Sequence, residues 1–137
     1  MVIDHIGIVV KSIEKGIEHW TSVFGYEQMT EVVVNTRQKV KVVFMKKKDS
    51  TIIKLIEPVD KTSPAYNTAM KGGGLHHIGF RCDNINDEIK KLQEQGSRVI
   101  AEPQPGEAFD NNSIAFLFAK QGLNIELIDT DIKAKIL

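Results

Sequence analysis

Ile3-Asp4-His5-Ile6-Gly7-Ile8 returns later in the chain as Leu75-His76-His77-Ile78-Gly79-Phe80. Setting His77 on His5, a shift of 72 residues, also sets Cys82 on Val10, Ile85 on Ile13, Phe116 on Phe44 and Leu127-Ile128 on Leu55-Ile56. One offset therefore aligns both ends of each half, which marks an internal duplication. Two long copies exclude a solenoid and point to two modules that share a core. Chemistry is then expected where equivalent positions of the two copies face each other.

Within a copy the pattern is β-α-β-β-β. Val2 to Val10 is apolar and β-branched and reads as a strand. Ser12 offers an N-cap, Ile13, Ile17, Trp20, Val23 and Phe24 recur at helical spacing, and Gly25 is a stop. Strands follow over Tyr26 to Val34, Val40 to Met45 and Thr51 to Ile56, with Pro58 ending the last. The second copy repeats this with a strand over Leu75 to Cys82 and a helix carrying Ile85, Ile89 and Leu92. Val99 to Ala101 opens the next strand, Pro103 to Asn112 reads as a polar loop, and strands follow at Ser113 to Phe118 and Asn124 to Ile128. The expected fold is α+β. Module one spans 2–57, a linker 58–74, module two 75–129 and a tail 130–137, which is either frayed or packed on a partner. In the linker, Pro64 starts a short helix and Gly72-Gly73-Gly74 is a hinge rather than a phosphate loop, because no Lys-Ser/Thr follows it.

With 18 basic and 18 acidic residues the net charge is zero, which excludes a general nucleic-acid binder, and Lys46-Lys47-Lys48 reads as a solvated turn. The single cysteine, Cys82, has no internal disulfide partner and reads as a buried, inert thiol. No signal peptide is recognisable and no apolar run approaches the ~18 residues of a spanning helix. The expectation is a soluble cytoplasmic protein with no membrane partner.

Alternation places His5 on the face of Ile3 and Gly7, and His77 on the face of Leu75 and Gly79, with His76 on the opposite face. A lone histidine among apolar residues is ordinarily a core residue. Two at repeat-matched positions are brought together by a pseudo-twofold. Glu126, between Ile125 and Leu127, adds a carboxylate whose burial is costly unless it is paired or coordinated. His5, His77 and Glu126 are ligand types for a divalent metal such as Zn, Ni, Co or Fe. The same shift sets Lys54 on Glu126. An ammonium there can bind an anionic substrate, act as a base in a desolvated pocket, or pair with Glu126 in place of a metal.

These residues carry a resemblance. The duplication with Asp4-His5-Ile6-Gly7-Ile8-Val9-Val10 and Gly74-Leu75-His76-His77-Ile78-Gly79-Phe80, together with Leu55-Ile56-Glu57-Pro58 and Glu102-Pro103-Gln104-Pro105-Gly106, resembles the vicinal oxygen chelate superfamily, and within it the methylmalonyl-CoA epimerases. The resemblance implies a curved, cup-shaped mixed sheet. It also implies a metal-dependent isomerase or lyase that transfers a proton alpha to a carbonyl of a small or acyl-CoA-like substrate, in a homodimer. It carries the metal-ligand roles to His5, His77 and Glu126 and a proton-transfer role to Glu126. Lys54, at the remaining ligand position, is the departure from that pattern and becomes a second candidate catalytic residue. A metal-free protein of the same fold that binds a small molecule is the alternative.

Overall fold

The computed structural model describes residues 1–137. Nine strands and three helices follow the chain as β1 (Val2–Val9), α1 (Ile13–Phe24), β2 (Glu27–Gln28), β3 (Val33–Asn35), β4 (Val40–Lys46), β5 (Ile52–Pro58), α2 (Tyr66–Met70), β6 (Gly74–Arg81), α3 (Ile85–Glu94), β7 (Arg98–Gly106), β8 (Asn112–Ala119) and β9 (Leu123–Ile128), with a 3-10 turn at Glu107–Phe109. The strands form one mixed sheet in the order β2-β4-β5-β1-β6-β9-β8-β7, with β3 also paired to β4. The duplication is visible in that order. Reading outward from the β1/β6 seam gives β5 then β4 on one side, and β9 then β8 on the other. The inner neighbour is parallel on both sides (β1 with β5, β6 with β9). The two copies meet along the antiparallel β1/β6 pair.

Period-two alternation assigns the two faces. Ile53 and Leu55 of β5, Val43 and Met45 of β4 and Ile13 of α1 form one buried cluster, with Ile6, Ile8, Ile17 and Trp20 packed against it. Ile125 and Leu127 of β9, Ala115 and Leu117 of β8 and Ile85 and Ile89 of α3 form its counterpart. The helices thus cover one face. Ser12 Oγ accepts from Lys15 N and Asn84 Oδ1 from Asp87 N to cap their N-termini, and Gly25 takes a left-handed φ of 73° to end α1. The opposite face curls into a cup whose apolar lining includes Val9, Val42, Phe44, Ile56, Ile114 and Ile128. Phe109, brought in by the 3-10 turn, fills the cup and is fully buried.

Three local expectations are corrected. The strand expected over Tyr26 to Val34 is broken into β2 and β3, because Thr30 between them bridges Ile136 of the tail and its Oγ1 accepts from Phe44 N at 3.1 Å. The segment expected as a loop from Pro103 continues β7 through Pro103 and Pro105 to Gly106. β7 is an edge strand, where a missing N–H costs no ladder bond, and shifts of register on either side of Ala101 absorb the irregularity. The tail is not frayed: Glu31 N donates to Lys135 O, Leu137 N to Met29 O and Ala134 N to Ala108 O, which straps it across the cup. The linker glycines behave as expected, with φ of 110°, 82° and 129° at Gly72, Gly73 and Gly74. No helix is long and apolar enough to cross a membrane.

A buried histidine, glutamate and lysine cluster as the candidate active site

The repeat explains why two histidines meet. In the β1/β6 ladder His5 stands opposite Gly79, and Gly7 opposite His77. Each imidazole lies over the glycine of the other copy. A Cβ on Gly79 would come closer than 3 Å to three atoms of the His5 ring, and one on Gly7 equally close to His77. The His-Ile-Gly triplet is therefore one device used twice: the histidine reaches across the seam and the partner glycine makes room for it.

The two rings stand nearly perpendicular, with Nε2 to Nε2 at 3.0 Å. Glu126 Oε1 lies 2.9 Å from His5 Nε2 and 3.3 Å from His77 Nε2. Two ring nitrogens and a carboxylate oxygen thus aim lone pairs at one point. Such a triangle holds a divalent ion or, without one, shares a proton. A cation about 2.1 Å from its ligands spaces neighbouring ligands about 3.0 Å apart on an octahedral face, so the shape suits a metal. Lys54 Nζ approaches the same carboxylate from another side and donates to Oε1 at 3.2 Å and Oε2 at 3.3 Å. His5, His77 and Glu126 are fully or almost fully buried and Lys54 is 3% exposed, so all four sequence candidates converge in one buried site.

Sequence reasoning misplaced His76 and missed Asp4 and Lys133. The ladder between β1 and β6 shifts register at Asp4 and again at His76, so each bulged residue turns toward the histidine beside it. Asp4 Oδ2 accepts from His5 Nδ1 at 2.7 Å. His76 Nδ1 lies 2.8 Å from His77 Nδ1, on the cup side rather than the opposite face. Asp4 and His76 are themselves 72 residues apart, and that repeat match is the signal that could have found them. Lys133, on the tail, donates to Asp4 Oδ1 at 2.9 Å and to Asp131 O. A carboxylate only accepts, so Asp4 fixes the His5 proton on Nδ1 and turns Nε2 to the centre.

Burial alone pushes Glu126 up, but the Lys54 charge and the neighbouring His5 and His77 rings hold it well below its ordinary value. Burial pushes His77 down from 6.5 to about 3, against the attraction of Glu126, and lowers His76 with help from the Lys54 charge. Asp4 is raised by burial and brought below its usual range by His5 and Lys133. Cys82, away from the site, is pushed up to about 11 by burial and by the neighbouring Glu88 and Asp129, in keeping with an inert thiol. Between about pH 6.5 and 3 the unfolded chain binds a proton at His77 that the folded chain refuses, so stability is full above 6.5 and drains as the pH falls. Glu126 adds to the loss below 4.5, as the unfolded carboxylate takes up a proton first. Urea unfolding is expected to lose on the order of 1 kcal/mol per pH unit across this window, and less in His77→Gln. A flat profile from pH 6.5 to 4 refutes the assignment of a neutral, buried His77.

A narrow cavity of about 30 Å³ reaches the cluster between the β3–β4 turn and the linker, with Lys54, His76 and His77 at its floor and Val42, Ile56 and Ala65 among its walls. That is room for about one water or a small polar group.

The sequence and fold were compared with known proteins. The family model of the Glyoxalase/Bleomycin resistance protein/Dioxygenase superfamily matches residues 4–116. The uncharacterized Bacillus subtilis protein YqjC is 32% identical over 130 residues, which cover 93% of this chain and 91% of its own. The mitochondrial methylmalonyl-CoA epimerase of Dictyostelium discoideum is 29% identical over 129 residues, covering 91% of this chain and 76% of that enzyme. A Streptomyces coelicolor methylmalonyl-CoA epimerase variant in complex with 2-nitronate-propionyl-CoA superposes with a TM-score of 0.81 at 28% identity, over 95% of this chain and 97% of that one.

Proposed function

The chain belongs to the glyoxalase/bleomycin-resistance protein/dioxygenase superfamily, with methylmalonyl-CoA epimerases among its relatives, and from that premise we propose that it moves a proton on the carbon alpha to a carbonyl, on a compact acyl group such as that of an acyl-CoA. The observation that carries this reading is the Lys54–Glu126 ion pair, buried with His5 and His77, whose Lys54 lines the cavity while Glu126 lies behind it.

Removing an alpha proton needs a base and a positive charge beside the oxygen that becomes an enolate. Glu126 is the base and Lys54 the charge. In the resting site each suppresses the other, since the ammonium holds the carboxylate well below its ordinary pKa. A substrate oxygen that takes a hydrogen bond from Lys54 Nζ draws that proton donor away from Glu126 and makes the carboxylate more basic where a proton has to be taken. His5, oriented by Asp4, and His77, backed by His76, keep Glu126 Oε1 aimed at the centre. Water is excluded by Phe109 and Phe44, whose rings lie 5.1 and 6.0 Å from Lys54 Nζ. The small cavity admits only a carbonyl or carboxylate oxygen of the acyl end to Lys54, with the rest of a thioester outside.

A divalent Zn, Ni, Co or Fe ion on His5, His77 and Glu126 is the second reading, favoured by the spacing of the three donor atoms. The donor set suits such an ion in shape and not in charge. The fourth repeat position holds an ammonium, and every buried side-chain nitrogen and oxygen already has a hydrogen-bond partner. No step here depends on a metal.

The test is exchange of the alpha proton. Propionyl-CoA and methylmalonyl-CoA are incubated with the protein in D2O and followed by NMR. Deuterium incorporation is expected, with Glu126→Gln slower by at least about a hundredfold. No exchange with either thioester, alongside tight binding of a small anion, moves the assignment to a metal-free binding protein of the same fold.

A further inference from the structure

The two residues that the repeat makes equivalent, Lys54 and Glu126, bond to each other instead of standing side by side around a common centre. Nothing about Lys54 is loose. It is 3% exposed, it donates to both oxygens of one carboxylate, and the ring of Phe109 lies 5.1 Å from its Nζ. The charges of the cup are already matched. Asp4 is paired with Lys133 at 2.9 Å and Glu126 with Lys54 at 3.2 Å, two carboxylates and two ammonium groups in all. A divalent ion on His5, His77 and Glu126 would add two positive charges within a few ångström of Lys54, in a buried site with room for about one water to screen them.

We infer that Lys54 is the resident cation of this cup: its ammonium occupies the remaining ligand position, excludes a divalent metal, and gives a substrate carboxylate or enolate oxygen a tethered single charge in place of a metal ion. The three metal-type donors then form a latent site, blocked by one side chain. A neutral donor at position 54 opens it. This rests on the proton-transfer reading only for the use made of the charge. Metal occupancy is measured without any substrate, so it fails or holds independently of the exchange assay.

The experiment is Co2+ binding to chelator-stripped full-length protein, read as metal per chain after desalting and as the absorption spectrum of bound Co2+. Wild type is expected to keep less than about a tenth of an equivalent. Lys54→Gln is expected to keep about one, with an affinity at least about a thousandfold tighter. His77→Ala added to Lys54→Gln abolishes that gain. Because Lys54→Gln leaves Glu126 without its cation, it is refolded with Co2+ present and its fold checked by circular dichroism, with Lys54→Glu as the second variant. Wild type carrying one Co2+ per chain overturns the inference whatever the variants do. So does a folded Lys54→Gln or Lys54→Glu that stays empty.

Discussion

Glu126→Ala is expected to cost about 3–5 kcal/mol of stability, the range seen when one partner of a buried ion pair is removed. Glu126 has no exposed surface, accepts from Lys54 and lies against both histidines. Without it, the Lys54 ammonium remains in a buried cup between the rings of Phe44 and Phe109, which offer it only a weak cation–π attraction. Lys54→Met destabilises for the mirror reason, leaving a buried carboxylate with only the histidines as partners. The double variant Glu126→Ala/Lys54→Met removes both charges and should lose far less than the two single losses together, since no unpaired charge remains. Urea unfolding of the four proteins at pH 7 completes the cycle. Additive losses, or a Glu126→Ala cost under about 1 kcal/mol, show that the pair is not coupled in the buried state the geometry describes.

Gly79→Ala is the second large effect. The added methyl would fall on the His5 ring, which is itself fixed by Asp4 and Glu126 and cannot swing away. Either the β1/β6 seam opens or His5 leaves the cluster. A loss of about 3 kcal/mol or more is expected, comparable with severe overpacking of a core, together with loss of the proposed exchange activity. Gly7→Ala should behave alike through His77. His5→Ala placed on top of Gly79→Ala restores room for the methyl, so the double variant should be more stable than Gly79→Ala alone. If Gly79→Ala unfolds at the wild-type urea midpoint, the close approach of ring and glycine is wrong.

Much of this site was legible before any coordinates, and the reason is particular. Lys54, Glu126, His5 and His77 were found because a single offset of 72 residues ties each to its counterpart, and a duplicated module brings counterparts together about its axis. The ion pair between Lys54 and Glu126 was one of three readings the residues allowed, and the fold selects it. His76 was assigned to the wrong face because strict alternation has no provision for a bulge. The bulge exists only in the pairing of β1 with β6. Pro103 and Pro105 marked a loop by their own chemistry, yet they lie in a strand because β7 has one unpaired edge.

Most strand positions, the helix cap at Ser12 and which side chains could carry charge into the interior are readable in the chain alone. These are local properties, set by neighbours within a few residues. The closing of the tail over the cup, the reach of Lys133 to Asp4 from 129 residues away and the seating of Phe109 beside Lys54 emerge only in the folded chain. Those contacts arise from how the curled sheet and the strap across it close on one another. No short stretch of sequence encodes such long-range closure, because it depends on the packing of the whole chain.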